Sequence, residues 1–198
     1  MSEAILLSGG MDSTCIAFWR KPKHAIMIDY GQRPARGEQR AAEAVAAELG
    51  LVFHRIEVDL RALGSGDLSD QPPLSIAAGP EWWPFRNQML VTLAAMKAVT
   101  LGATTLLIGA LRTDGFHVDG RPEFVNALGQ LLEMQEGGLR LEAPAITLSA
   151  AELVTTSGVP DELLAWAHSC HVAEFACGSC RGCIKHYETL QALDRAPY

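Results

Sequence analysis

The order of apolar and polar residues predicts strands and helices that alternate along most of the chain. Short apolar runs that indicate buried strands cover 4–7, 24–29, 52–58, 104–109 and 143–148. Apolar residues at helical spacing cover 36–49, 86–100 and 122–134. Gly50 is a suitable helix end. This alternation is typical of a parallel sheet covered on both faces, so we predict a doubly wound α/β fold.

Two segments interrupt the alternation. Residues 60–84 are rich in Gly, Ser, Asp and Pro, which predicts a long loop of the kind that is usually functional or disordered. Ser149 and Glu152 form an S-x-x-E capping box, which predicts a helix that ends near Gly158. The chain then enters a cysteine-rich tail. We therefore predict an α/β domain over 1–160 and a helical tail over 161–198 that packs on it.

Composition and charge narrow the class of function. The chain has 198 residues, of which 48% are hydrophobic, and this is enough to bury one substantial core. Its formal net charge of −7 argues against broad binding to nucleic acid, so a small-molecule substrate or a specific protein partner fits better. No signal peptide or membrane span is recognisable in the sequence. We expect a cytoplasmic protein with reduced thiols.

The segment Ser8-Gly9-Gly10-Met11-Asp12-Ser13 follows the first predicted strand and precedes a helix expected from Thr14 to Arg20. Glycines let a backbone approach an anion closely, and a helix N-terminus adds partial positive charge. The Ser8 and Ser13 hydroxyls can donate hydrogen bonds to phosphate, and Asp12 can orient magnesium. No lysine follows the glycines as in a Walker loop, and the G-x-G-x-x-G dinucleotide pattern is also absent. The alternative is a turn that merely joins strand to helix.

Four cysteines of the tail form the pattern C-x6-C-x2-C-x2-C, at Cys170, Cys177, Cys180 and Cys183. Thiolates suit tetrahedral zinc, and four of them fill its coordination shell, which predicts a structural ion without an open position. An iron-sulfur cluster or a set of unligated buried cysteines would also fit the pattern. Cys15 stands apart, as a small core residue would.

These motifs resemble the 7-cyano-7-deazaguanine synthase family of the ATP pyrophosphatases, also called the PP-loop enzymes. The loop at Ser8–Ser13 looks like the family's S-G-G-x-D-S loop, and the tail cysteines match its zinc segment. Further matches are Asp29-Tyr30-Gly31-Gln32-Arg33 with Glu38, Arg86-Asn87, and Ile108-Gly109 through Asp114 with Asp119, Arg121 and Phe124. The resemblance runs from about Ala4 to about Leu193.

The resemblance implies a homodimeric ATP-dependent carbon-nitrogen ligase with an adenine nucleotide alpha hydrolase-like fold. Its substrates would be ATP with magnesium, 7-carboxy-7-deazaguanine and ammonia, and its product would be 7-cyano-7-deazaguanine, a precursor in queuosine biosynthesis. The carboxylate would be adenylated, converted to the amide, activated again and dehydrated to the nitrile.

The resemblance also implies a set of site residues. Ser8, Asp12, Ser13 and Arg86 would be catalytic. Nucleotide contacts are expected from Leu7, Ser8, Gly9, Gly10, Met11, Asp12, Ser13, Tyr30, Gln32, Arg86, Asn87 and Gly109. Substrate contacts are expected from Phe85, Arg86, Asp114, Phe116, Asp119 and Arg121. Trp82 and Trp83 are further candidates for stacking on the base, with simple packing as the alternative.

Several residues depart from the family's pattern where the base and its carboxylate are expected. Pro34 replaces a histidine, Phe85 a glycine, Gly120 a cysteine and His171 a tyrosine. A divergent relative could therefore use the adenylate to join a deazapurine or another acid to a different amine, including a protein amine.

Three further classes of protein share parts of this pattern: tRNA thiolation enzymes, amidotransferase synthetases and non-catalytic zinc-knuckle interaction modules. Thiolation would require a catalytic cysteine pair and a basic surface for tRNA, and the acidic balance of the chain disfavours it. The intact phosphate loop, with Ser8, Asp12 and Ser13 in place, argues against the interaction module.

Overall fold

A computed structural model describes residues 2–196 and contains the predicted parallel sheet. Five strands pair in the order β3-β2-β1-β4-β5, all parallel. Their bounds are β1 Glu3–Leu6, β2 His24–Asp29, β3 Val52–Glu57, β4 Thr105–Leu107 and β5 Arg140–Glu142. The helices are α1 Met11–Arg20, α2 Ala35–Glu48, α3 Arg86–Thr100, α4 Pro122–Glu133, α5 Ala150–Ser157, α6 Asp161–Leu164 and α7 Arg181–Ala192. The doubly wound α/β prediction is confirmed.

Helices cover both faces of the sheet, so each central strand buries both sets of its side chains. In β1, Ile5 packs in one core with residues of α1, α2 and α5, while Ala4 packs in the other with residues of α3 and α4. In β4, Leu107 and Leu106 divide between the same two cores. This two-sided burial explains why the strands appear in the sequence as continuous apolar runs rather than as alternating ones.

The chain reverses its direction of travel across the sheet between β1 and β4. Strands β1, β2 and β3 extend to one side, and β4 and β5 then extend to the other. Two connections that leave neighbouring parallel strands in opposite directions open a crevice at the strands' carboxyl ends, which is where open α/β sheets bind ligands. The segment that begins at Ser8 and the segment that begins at Ile108 border this crevice.

The prediction of a last strand over 143–148 is wrong. The strand lies just before it, at Arg140–Glu142, where Leu141 pairs with Leu106 of β4. Residues 143–148 form turns instead, with Ile146 N–H donating to Ala143 O at 3.1 Å. Pro144 has no N–H for a strand ladder, and the apolar residues after it are buried by turns that pack on the two cores. Apolar character there reflected burial and not strand pairing.

The other element bounds differ from the predicted ones by a few residues at most. The largest difference is at α1, which begins at Met11 rather than Thr14, so the helix starts inside the glycine-rich motif. The capping box is present, with Glu152 N–H donating to Ser149 Oγ at 3.3 Å and Ser149 N–H donating to Glu152 Oε2 at 2.7 Å. Gly158 ends that helix in the left-handed region, at φ 65°.

The cysteine-rich tail packs on the α/β layers. Leu163 and Leu164 of α6 and Leu190 of α7 share one core with Ile5 of the central strand. Because these contacts join the tail and the α/β layers in one core, they do not mark a boundary at residue 160, and that boundary stays a prediction. Across residues 2–196, none of the helices has the length and apolar character that crossing a membrane requires.

We expect Leu153→Ala to lower the free energy of unfolding by about 2–5 kcal/mol, since Leu153 of α5 is fully buried beside α1 and truncation leaves a cavity. Leu131→Ala is the matched control, because Leu131 on α4 is 48% exposed and should change the free energy by only about 0.5 kcal/mol. Urea denaturation measures both. Equal losses in the two variants would contradict the packing described for α5.

Candidate functional site

A large cavity lies at the carboxyl ends of β1 and β4. Its volume is about 970 Å³, and its lining comes from the Ser8–Ser13 segment, the start of α3, the segment 108–120 and the tail. A cavity of this size accommodates a nucleotide together with a small acid. It therefore defines the candidate site.

The Ser8–Ser13 loop is held in one conformation by its own side chains and by close packing. Ser8 Oγ lies 3.2 Å from Ser13 Oγ, and Ser13 Oγ donates to Gly10 O at 3.0 Å. Gly9 has φ 77°, and a Cβ there would lie 2.6 Å from the carbonyl oxygen of Glu38 in α2. Glycine is thus required at Gly9 both by conformation and by space.

Asp12 of this loop meets a lysine from the other end of the chain. Lys185 Nζ in α7 donates to Asp12 Oδ2 at 3.0 Å and to Asp114 Oδ1 at 3.2 Å. Burial raises the pKa of Asp12, and the Lys185 ammonium opposes that shift. Burial lowers the pKa of Lys185, but the two carboxylates outweigh this effect and raise it overall, so the lysine stays charged.

The segment after β2 contributes a second side of the cavity lining. Gln32 is buried, accepts from Tyr30 N–H at 2.8 Å and donates to Glu38 Oε2 at 2.7 Å. Burial raises the pKa of Glu38 to about 7, while Gln32 and the nearby Arg86 guanidinium oppose the shift. Arg86 Nη1 also donates to Glu81 O at 3.4 Å. A cationic group and a carboxyl that titrates near neutral pH therefore face the same cavity.

Phe85 precedes Arg86 at the start of α3, with a backbone in the left-handed region at φ 56°. This region favours glycine, the residue expected from the family pattern, and its occupation by a bulky residue stores strain. The Phe85 side chain is 75% exposed. The substitution therefore keeps a glycine-like backbone at the entrance to the helix that carries Arg86.

The segment after β4 carries two carboxylates, those of Asp114 and Asp119, that accept hydrogen bonds from backbone N–H groups. Asp114 Oδ2 accepts from Leu111 N–H at 2.9 Å, and Asp119 Oδ2 accepts from the N–H of Asn87 at 3.4 Å. Asn87 Nδ2 donates to Asp119 O at 3.3 Å. These contacts fix the segment against α3, so its carboxylates serve first to shape the cavity.

A buried carboxylate joins the long loop to the tail. Glu81 Oε1 lies 2.7 Å from His117 Nε2 and accepts from Arg181 Nη1 at 2.9 Å. The Arg181 guanidinium also lies over the Phe116 ring, 4.3 Å from its centroid. Burial alone would raise the pKa of Glu81, but its contacts with His117 and Arg181 hold it below the usual value. The cluster forms part of the cavity lining.

The four tail cysteines converge as predicted. Their sulfur atoms all lie within 4.8 Å of one another, so the group could hold a metal ion. The Cys170–Cys180 and Cys177–Cys183 sulfur pairs are separated by 3.9 and 4.0 Å. Bonds of about 2.3 Å to one tetrahedral zinc separate sulfurs by about 3.8 Å, so the donor set fits a single ion. A four-iron cluster binds each thiolate to a different iron and needs wider spacing.

Backbone N–H groups support this arrangement. Cys180 N–H and His171 N–H point at Cys177 Sγ and Cys180 Sγ, each at 3.3 Å. Together with the N–H of Ser179, the contact to Cys177 lowers the pKa of that thiol, which favours the thiolate that a metal requires. Cys15, in contrast, is fully buried in α1, and burial raises its pKa to about 12.

The structure brings most of the sequence-predicted residues to one cavity. Those in its lining are Ser8, Gly10, Met11, Asp12, Ser13, Tyr30, Arg86, Asn87, Gly109, Asp114, Phe116 and Asp119. Those outside the lining are Leu7, Gly9, Gln32, Phe85 and Arg121. Leu7, Gly9 and Gln32 support the cavity from behind through packing or hydrogen bonds. Trp83 packs edge-on against Tyr30 in the core, with ring centroids 5.0 Å apart.

Sequence reasoning missed Lys185, Arg181 and Glu81. Arg181 lies between two of the cysteines, and Lys185 follows the last of them by two residues. Their closeness in sequence to the predicted metal ligands could have drawn attention to these two cations. Nothing in the loop around Glu81 marked it out.

Comparison with known proteins agrees with the motif resemblance. A family model described as queuosine biosynthesis protein QueC matches residues 3–194. The 7-cyano-7-deazaguanine synthase of Acidobacterium capsulatum is 35% identical over 221 residues, which cover 98% of this chain and 95% of the relative. That of Thermoplasma acidophilum is 34% identical, covering 91% of this chain and 83% of the relative.

Two solved structures share the fold. The U34-tRNA thiolase NcsA of Methanococcus maripaludis, solved with its 4Fe-4S cluster, has a TM-score of 0.54 at 16% identity, and the match covers 98% of this chain and 64% of NcsA. NMN synthetase from Francisella tularensis has a TM-score of 0.52 at 14% identity, with coverage of 100% and 79%. At these identities the likeness concerns the fold alone. The family model and the sequence relatives are more specific, and by them the chain belongs to the family of the queuosine biosynthesis protein QueC.

Proposed function

We propose that the protein is an ATP-dependent carbon-nitrogen ligase that converts 7-carboxy-7-deazaguanine, through its amide, to 7-cyano-7-deazaguanine. The observation that carries this proposal is the Ser8–Ser13 loop, which opens α1 directly into the cavity at the carboxyl ends of β1 and β4. The names of the relatives, 7-cyano-7-deazaguanine synthase, support the choice of substrate.

Adenylation would make the carboxylate of the substrate reactive toward ammonia. A carboxylate is a poor electrophile, because its carbon bears no good leaving group. In the proposed first step a carboxylate oxygen attacks the α-phosphorus of ATP, and the bond to the β-phosphate oxygen breaks to release pyrophosphate. Ammonia then attacks the acyl carbon, the carbon–oxygen bond to AMP breaks, and the nitrogen loses a proton. The amide oxygen then attacks the α-phosphorus of a second ATP and releases a second pyrophosphate. The carbon–oxygen bond breaks as that oxygen leaves with AMP, and the nitrogen loses both of its protons to give the nitrile.

The residues of the loop would bind and orient the triphosphate rather than react with it. The residues at the start of α1 line the cavity, so their N–H groups would meet the phosphates, and the Ser8 and Ser13 hydroxyls would exchange their contacts within the loop for hydrogen bonds to phosphate. Asp12 would orient magnesium, which supplies positive charge to the phosphates when bound. Arg86, which lies across the cavity beside Glu38, would receive the negative charge of the substrate or of AMP.

Phe116 and the polar groups of segment 108–120 would bind the deazapurine. Phe116 is half exposed in the cavity wall, where a flat base could stack on it. Asp114 and Asp119 would accept hydrogen bonds from the amino-pyrimidine edge through oxygen lone pairs that their present contacts leave available. Glu81 and Arg181 hold this wall in place through His117 and Phe116.

The tail would hold one structural zinc ion. Four thiolates complete a tetrahedral shell, so the ion would stabilise the fold of residues 170–183 rather than activate water. The sulfur separations and the backbone N–H groups directed at sulfur support this assignment.

Incubation with ATP, magnesium, ammonium and 7-carboxy-7-deazaguanine, followed by mass spectrometry, tests the proposed reaction. We expect AMP, the amide and the nitrile. AMP without either product would favour a second candidate function, in which the adenylate is transferred to another amine, including a protein amine. The departures at Pro34, Phe85, Gly120 and His171 favour that candidate. No nucleotide cleavage with any candidate acid would contradict both.

We expect Asp12→Ala and Ser13→Ala each to slow pyrophosphate release by about a hundredfold or more, because each removes a group that orients the phosphates in the transition state. Release is measured with a coupled pyrophosphate assay at saturating substrate. Asp70→Asn is the control, since the Asp70 side chain is 93% exposed and lies outside the cavity. Undiminished release in both loop variants would remove the basis of the proposal.

We expect freshly purified protein to contain one zinc ion per chain, measured by inductively coupled plasma mass spectrometry. Cys180→Ser should lose most of this zinc and melt at a lower temperature, because the remaining thiolates no longer fill the shell. Cys15→Ser should retain the zinc, as Cys15 lies in α1 and away from the cluster. Iron in place of zinc, or zinc well below one equivalent, would refute the assignment.

A further inference from the structure

Lys185 occupies the point where the tail meets the phosphate loop. It lies on α7, whose first residues also carry Cys183, and its ammonium contacts both Asp12 and Asp114. These carboxylates come from the segments that follow β1 and β4, on either side of the crevice. The ammonium therefore lies in the cavity lining between these two segments, although it is distant in sequence from both partners.

The Lys185 ammonium offsets negative charge around the cavity. A triphosphate brings several negative charges to a site that already contains Asp12 and Asp114. Among the described residues that line the cavity, the lysine and arginine side chains are Arg86, Arg181 and Lys185. Arg181 is paired with Glu81, and Arg86 lies beside Glu38. Lys185 is thus the cation of this set that touches the phosphate loop itself.

The geometry leaves Lys185 able to bind a ligand. An ammonium has three N–H donors, and the contacts with Asp12 and Asp114 use two of them. The Lys185 side chain is 41% exposed and lines the cavity, so a ligand in the cavity can approach it. The loop also lacks the lysine that a Walker loop uses to reach the terminal phosphates. A lysine from α7 can supply the same contact from the opposite wall.

We propose that Lys185 is the phosphate-binding cation of this site, supplied by the tail and directed at the β- and γ-phosphates that leave as pyrophosphate. The assignment rests on the proposed ATP site. Asp12 and Asp114 hold the ammonium in position before the nucleotide arrives, and the bound phosphates then share it. Lys185 acts as a binding and orienting group and forms no covalent bond.

The test compares three ligands by isothermal titration calorimetry: α,β-methylene ATP, pyrophosphate and AMP, each with magnesium. Lys185→Met should weaken binding of the ATP analogue and of pyrophosphate about ten- to a hundredfold, the range expected for a lost charge-assisted hydrogen bond. Binding of AMP should change by less than about twofold, because AMP lacks the phosphates concerned. Lys185→Arg, which keeps the charge, should recover part of the loss.

Lys23→Met is the matched control. Lys23 is exposed just before the amino end of β2, whereas the cavity lies at the carboxyl ends of the strands, and its removal should leave all three affinities unchanged. A measurement on the unsubstituted protein adds a test that does not depend on folding of the variants. The ATP analogue should protect Lys185 from reductive methylation more strongly than AMP does.

The outcomes separate the two proposals. If the unsubstituted protein binds none of the nucleotides, the proposed ATP site is wrong. If it binds them and Lys185→Met has the same or a higher affinity for the ATP analogue, the role of Lys185 is wrong. The role is also wrong if the substitution weakens binding of AMP as much as binding of the ATP analogue. Equal methylation with and without the analogue would also overturn it.

Discussion

The close approach of the Ser8–Ser13 loop to helix α2 is the constraint on which the site depends. Gly9 adopts a positive φ, and the space where a Cβ would lie is filled by the backbone of Glu38 and Ala42. On the other side of the loop, a Cβ on Gly109 would lie 3.3 Å from the nitrogen of Ser13. His168 N–H donates to Gly9 O at 2.8 Å and ties the tail to the same turn. The start of α1 can therefore point in only one direction, into the cavity.

Ion pairs as well as apolar packing join the tail to the α/β layers. Asp12 is partly buried, where an unpaired carboxylate would be costly, and Lys185 compensates for the loss of solvent contact. Glu81 is buried as well, and its contacts with Arg181 and His117 compensate for the burial of its carboxylate. Both cations belong to α7, whose first turn is anchored in the cysteine cluster. The tail thus completes the site and does not merely cover it.

The sheet, its helices, the place of the Ser8–Ser13 loop between β1 and α1, and the cysteine cluster could be predicted from the sequence, because each has a local signal. Strands buried on both faces appear as apolar runs, and closely spaced cysteines or glycines have few other uses. The strand at 140–142 was misplaced because Arg140 and Glu142 carry charge at the sheet edge, whereas the apolar residues after them are buried in turns. Lys185 and Glu81 could not be assigned, since their partners lie far away in the sequence and only the fold brings them together.

Transfer of oxygen from the acid to AMP would show directly whether the carboxylate attacks the α-phosphorus of ATP. With 7-carboxy-7-deazaguanine labelled with heavy oxygen in its carboxylate, attack on the α-phosphorus moves one labelled atom into the phosphate of AMP. Mass spectrometry of the nucleotide products detects that atom. Labelled AMP should form together with pyrophosphate. Unlabelled AMP, or ADP with inorganic phosphate, would contradict adenylation of the acid.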